Sequence, residues 1–130
     1  MKTHKTLKGE CLCGEVSWQL SGPYEFFGMC QCSRCRKATG AAFATNLFVK
    51  AEQFKWLSGK EMVDEYVMEE PNTFGNAFCK KCGSRSPRFS SARGWMMAPL
   101  GSTMESPEIE PTLVCVKDHT DWFKKLEEML

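Results

Sequence analysis

The spacing of the cysteines constrains this chain more than any other feature. Cys30, Cys32 and Cys35 fall within six residues, in the stretch Cys30-Gln31-Cys32-Ser33-Arg34-Cys35-Arg36-Lys37-Ala38-Thr39-Gly40. Three thiols so close together are not three independent core residues. A zinc ion holds thiolates at ~2.3 Å in a tetrahedron, and a C-x-C-x-x-C turn brings three sulfurs to one such centre while local sequence leaves its fourth corner open. The interleaved Arg34, Arg36 and Lys37 put positive charge near the sulfurs and favour the thiolate form that metals require.

The other cysteines, of eight in 130 residues, form a pair (Cys11, Cys13), a second pair (Cys79, Cys82) and a singleton (Cys115). Two pairs complete one Cys₄ site, which staples the first strand to a much later one and reads as structural. The triplet then keeps its own zinc with an open position, the arrangement of a catalytic or ligand-exchanging centre. Spacing alone also permits the triplet and a pair to trade ions. Cys115, between Leu113-Val114 and Val116, is expected to be a buried free thiol, with a fourth ligand to the triplet as the other reading.

The length suits one domain with a modest core. Hydrophobic residues make up 42% and charged residues 25%, ordinary for a globular chain, so the cysteines are what need a chemical explanation. Residues 1–8, which include His4, are polar and read as a flexible tail, leaving residues 9–130 as the zinc domain. No signal-peptide core and no membrane-length apolar run is present, so a cytoplasmic setting is expected. There disulfides are disfavoured, and the pairs read as metal ligands before they read as bridges or a redox pair. A formal charge of +1 gives no global attraction to polyphosphate, which argues against a nucleic-acid partner.

Along the chain, Cys11 and Cys13 are read as i, i+2 neighbours in extended backbone. Val16, Trp18 and Leu20 then alternate as one face of a strand. Ser21-Gly22-Pro23 turns the chain, and Tyr24 to Met29 forms an aromatic strand that delivers Cys30. Arg36 to Gly40 fits one helical turn stopped by glycine. Phe43 to Val49 reads as a strand, whereas Glu61 to Met68 fits helix and strand equally on local pattern. Pro71-Asn72 turns the chain towards Cys79-Lys80-Lys81-Cys82-Gly83, a zinc knuckle. Arg85 to Ser90 is extended and polar, Gly94 to Leu100 a buried strand, and Thr112 to Val116 the last strand. A short C-terminal helix, capped by Asp118 or Thr120, is expected to bury Trp122, Leu126, Met129 and Leu130.

Together Cys11-Leu12-Cys13-Gly14, Cys30-Gln31-Cys32-Ser33-Arg34-Cys35-Arg36-Lys37, Gly40-Ala41-Ala42-Phe43 and Phe78-Cys79-Lys80-Lys81-Cys82-Gly83-Ser84 resemble the glutathione-dependent formaldehyde-activating (GFA) family, which includes centromere protein V. The resemblance spans roughly residues 8–122. It implies a mainly β, tent-like, zinc-stapled antiparallel fold with short helical turns and a short C-terminal helix, and it tips residues 61–68 towards strand. It also implies Cys11, Cys13, Cys79 and Cys82 around a structural zinc, and Cys30, Cys32 and Cys35 around a second zinc where glutathione acts. This chain departs from the family pattern at Gln31, which stands where His is common, and in lacking a late Asp and a late His, at Gly101-Ser102-Thr103-Met104 and Pro111-Thr112-Leu113.

A zinc with three thiolates suits holding a fourth thiolate better than making hydroxide. The resemblance therefore implies a carbon-sulfur lyase, or the formation of S-hydroxymethylglutathione, at the open zinc. Arg34, Arg36, Arg85 and Arg88 are candidates to hold glutathione's carboxylates. The alternative is a non-enzymatic zinc module that binds a small thiol or a macromolecule. His119 reads as a solvated residue near the last helix, and Trp18, Trp56, Trp95 and Trp122 read as core.

Overall fold

The computed structural model describes residues 6–70, 74–103 and 105–129; His4, the Pro71-Asn72 turn, Met104 and Leu130 lie outside them. The chain is mainly β. Strands β1 (Thr6–Glu10), β2 (Ser17–Ser21) and β5 (Phe54–Ser58) form one antiparallel sheet in the order β1-β2-β5. A five-stranded sheet runs β10-β3-β4-β9-β8, from β3 (Phe26–Cys30), β4 (Ala44–Val49), β8 (Arg88–Ser90), β9 (Trp95–Pro99) and β10 (Thr112–Val114). Strands β6 (Val63–Val67) and β7 (Gly75–Cys79) form an antiparallel pair. Every pairing is antiparallel except β10 on β3, which is parallel.

The core lies between the two larger sheets. Leu7, Trp18 and Leu20 from the first, with Val16 just before β2, meet Leu47, Val49 and Ala98 from the second, and Cys11 and Cys79 belong to the same cluster. The alternation of Val16, Trp18 and Leu20 is thus realised, and each such side chain contributes roughly 1.5–3 kcal/mol on burial. Two expectations change, and the reading left open on local pattern is decided for strand, as the resemblance implies. Thr6, Leu7 and Lys8 are strand rather than tail, because Leu7 is fully buried and pairs with Leu20. Residues 63–67 are strand, held by the ladder to β7 that no local pattern reveals. The sheet is not purely antiparallel, since β10 returns along β3.

Helix α1 (Ser33–Thr39) begins three residues earlier than the sequence suggests, because Cys32 caps it: its Sγ accepts the Cys35 N–H at 3.3 Å. It stops at Gly40, as expected. Helix α2 (Asp121–Met129) is capped by Thr120, whose Oγ1 accepts the Phe123 N–H. Its buried residue is Phe123, edge-on to Phe43 with centroids 5.5 Å apart, while Trp122, Leu126 and Met129 are exposed. The helix docks one apolar residue round from the expected stripe, with Phe123 packing on the Phe43 ring just before β4.

Candidate metal centres

Two turns build the first centre. After β1 the chain folds through Cys11 to Gly14, with the Gly14 N–H on the Cys11 carbonyl at 3.0 Å, and after β7 it folds through Cys79 to Gly83, with the Gly83 N–H on the Cys79 carbonyl at 2.8 Å. Both glycines have φ near +80°, where a Cβ would be strained. Cys11 and Cys13 therefore sit in a knuckle like that of Cys79 and Cys82, not in the extended backbone expected of them, and Leu12 between them points to solvent. The knuckles face each other. Leu12 N–H reaches Ser84 Oγ at 2.9 Å, and Lys81 pairs with Glu15 at 2.8 Å.

The four sulfurs of this centre lie within 4.8 Å of one another. Cys11 and Cys13 are 3.5 Å apart and Cys13 and Cys79 3.9 Å, close to the edge of about 3.8 Å that four thiolates describe around one ion at ~2.3 Å. The donor set fits a tetrahedral thiophilic metal. Hydrogen bonds from the Ser84 hydroxyl and backbone hold Cys82 down to about 5. At Cys13 the backbone hydrogen bond of Glu15 favours thiolate, but desolvation and the sulfurs of Cys11, Cys82 and Cys79 outweigh it and push the thiol up to about 12. Such opposed shifts are what crowded thiols show when like charges cannot all form, and a dication removes the conflict.

The second centre gathers around Cys30 at the end of β3. Cys32 caps α1, and Cys35, buried in that helix's first turn, shares hydrogen bonds with Cys30 and Cys32. Cys115 joins them. Its sulfur and those of Cys30 and Cys32 lie within 4.8 Å of one another, a distance compatible with one ion, and all four cysteines line one cavity. The expectation of a buried thiol at Cys115 is overturned: the residue is exposed. Its apolar neighbours misled because β10 is an edge strand, with Leu113 and Val116 about half exposed. The hydrogen bond from Cys30 draws Cys35 below the ordinary thiol value, and the same bond pushes Cys30 up.

The cavity measures about 270 Å³ and is strongly cationic: Arg34, Arg85, Arg88 and Arg93 line it together with the cysteines. Arg85 is held by two amides, Asn76 through Nε and Asn46 through Nη1, both at 3.0 Å. Desolvation lowers its pKa, while the negative charge of Cys35 and Cys30 opposes that shift. Arg88 pairs with Glu65 and lies flat on Gly75, where a Cβ would come within 2.7 Å of its guanidinium. Arg34 covers the Phe74 ring and Arg93 the Phe48 ring. Arg36 does not line the cavity, since its Nε is committed to the Gln31 carbonyl. Arg93 escaped sequence reasoning because it sits alone in a polar turn, far from any cysteine in the chain.

The glutathione-dependent formaldehyde-activating enzyme model matches residues 6–119. The chain belongs to the GFA family. Among solved structures, the fold of this GFA chain resembles that of a Rhodobacter sphaeroides protein with a TM-score of 0.60 at 22% identity, covering 80% of this chain and 97% of the other. No curated protein sequence matches it. No helix among the described residues is long and apolar enough to cross a membrane. Gln31 is buried in this GFA member, its backbone joining β10 through a 3.0 Å bond from its N–H to the Val114 carbonyl. His119 is half-buried, and its Nδ1 lies 2.9 Å from the Val116 carbonyl.

Proposed function

We propose that both centres hold zinc, and that the second acts on a thiol with anionic groups, glutathione by family membership, in carbon-sulfur bond formation or cleavage with an aldehyde. One observation carries this reading: Cys30, Cys32 and Cys115, whose sulfurs lie within 4.8 Å of one another, open with the adjacent Cys35 and four arginines onto the same cavity. When bound, zinc would hold a substrate thiol as its thiolate. Arg85, fixed by Asn46 and Asn76, presents a preorganised cation to a carboxylate of the peptide, and Arg34 and Arg93 stand exposed at the rim for a second. The aromatic faces of Phe48 and Phe74 keep those two guanidinium groups over the cavity. Sulfur then adds to the aldehyde carbon, forming a C–S bond as the carbonyl oxygen takes a proton; the reverse steps are the lyase reaction. The cytoplasm, where thiols stay reduced, is the setting in which these cysteines remain free to ligate.

A test compares S-hydroxymethylglutathione formation from glutathione and formaldehyde with wild type, Cys32→Ser and Arg85→Gln. The expected result is acceleration by wild type, none by Cys32→Ser, and glutathione binding weaker by roughly tenfold in Arg85→Gln at unchanged zinc content. Equal rates with and without protein would sink the reading. One observation favours a binding module without turnover: among the described residues, no imidazole or carboxylate lines the cavity. That alternative predicts glutathione binding with no change in the adduct rate.

A further inference from the structure

We propose that Cys115 is a detachable fourth ligand of the second centre, a thiolate cap that the incoming substrate thiol replaces. The inference rests on the second centre holding zinc, as proposed above. Cys30 and Cys32, with Cys35 beside them, come from one continuous turn, whose shape is set by the Cys32 cap and the α1 helix. Cys115 comes from the far end of the chain and arrives only because β10 runs parallel to β3, in the register Val114 opposite Cys30. One residue beyond that register, the Gln31 N–H still bonds the Val114 carbonyl, so the ladder carries Cys115 to the level of the turn.

The features that bring Cys115 in are also those that let it go. It is exposed and directly follows a strand of three residues at the edge of its sheet. Cys115 is also the one described non-glycine residue with positive φ, at 57° with ψ 46°. A side chain in that conformation is strained. The first centre is tied more firmly: Cys13 is exposed, but Cys11 and Cys79 are buried, and the knuckles are cross-tied through Ser84 and by Lys81 with Glu15. The cavity gives a substrate thiol access to the side of the cluster on which Cys115 lies. In the exchange the incoming thiol gives its proton to the departing Cys115 sulfur, so one S–H bond breaks, another forms, and the number of thiolates at the centre is unchanged. The resting protein is thereby closed to water and open only to thiols that outcompete a tethered one.

Zinc-loaded full-length protein with ¹³Cβ-labelled cysteine tests this, because the Cβ shift separates a metal-bound cysteine from a free thiol. Cys115→Ser assigns the Cys115 signal. The expected result is a metal-bound Cys115 at rest that becomes free as glutathione is added, with the signals of Cys11, Cys13, Cys79 and Cys82 unmoved. Cys115→Ser is expected to bind glutathione at least roughly tenfold more tightly, since no cap has to be displaced. A second titration uses 2-mercaptoethanol, a thiol without carboxylates. A Cys115 that is free at rest, or that stays bound at saturation with both thiols, overturns the cap. Release by 2-mercaptoethanol without any glutathione binding upholds the cap and overturns the glutathione reading instead.

Discussion

Ser84 joins the two knuckles of the first centre through one oxygen. Its Oγ accepts the Leu12 N–H at 2.9 Å and the Cys82 thiol at 3.2 Å, and once that sulfur ionises the hydroxyl can turn its own proton towards it. This is why Cys82 is held down to about 5 in the metal-free chain. The sign follows: a thiol with a lowered pKa is already thiolate at neutral pH and loses its reactivity only as pH falls through about 5. In metal-free protein, alkylation mapped by mass spectrometry is expected to label Cys82 first at pH 7, and Ser84→Ala to move its midpoint towards the ordinary thiol range. An unchanged midpoint in Ser84→Ala would show that the hydroxyl is not the cause. The Cys-x-x-Cys-Gly-Ser spacing announces the knuckle, but nothing in the sequence says that its serine serves the other knuckle as well.

At the scale of elements, a pattern is legible where local chemistry dictates structure and lost where a distant partner does. The strand Ser17–Ser21 alternates because one face is covered, and the cysteine pairs find each other because two ligands three or fewer residues apart leave a tetrahedron half filled. The role of Cys115 is hidden because its flanking residues are apolar for an edge strand that stays half exposed, and its ladder to β3 leaves no trace in composition. The last helix shows the same limit. Its periodicity marks a helix, but which stripe is buried depends on the surface beneath, and among its described residues Phe123 is the one that packs on a ring. Phe123→Ala is expected to cost about 3 kcal/mol and Trp122→Ala less than about 0.5 kcal/mol in urea unfolding. The reverse order would restore the stripe of Trp122, Leu126 and Met129 as the buried one.

For the whole molecule the two centres carry different loads. The first ties β1 and β7, elements of different sheets, and its Cys11 and Cys79 belong to the hydrophobic core. A cation bound there would offset the charge that these sulfurs carry as ligands. The second sits at a sheet edge beside a cavity and staples little that the β3 and β4 ladder does not already hold. Cys79→Ser is therefore expected to lower stability by ~3 kcal/mol or more, about 10 °C in melting temperature, and Cys32→Ser by less than a third of that. Calorimetry of the zinc-loaded variants checks it, and equal losses would mean that the second centre is structural too.

The parallel return of β10 also fixes an order of assembly. As the chain is synthesised, the ligands of the first centre are complete once Cys82 has emerged, whereas Cys115 follows only 33 residues later. In the interval the second centre has the cysteines of its own turn and no cap. A nascent chain in a cytoplasm rich in small thiols would then carry one of them as a temporary ligand, and the arrival of the last strand would evict it. The exchange that serves the substrate would thus first be run in reverse, once, during the birth of each molecule.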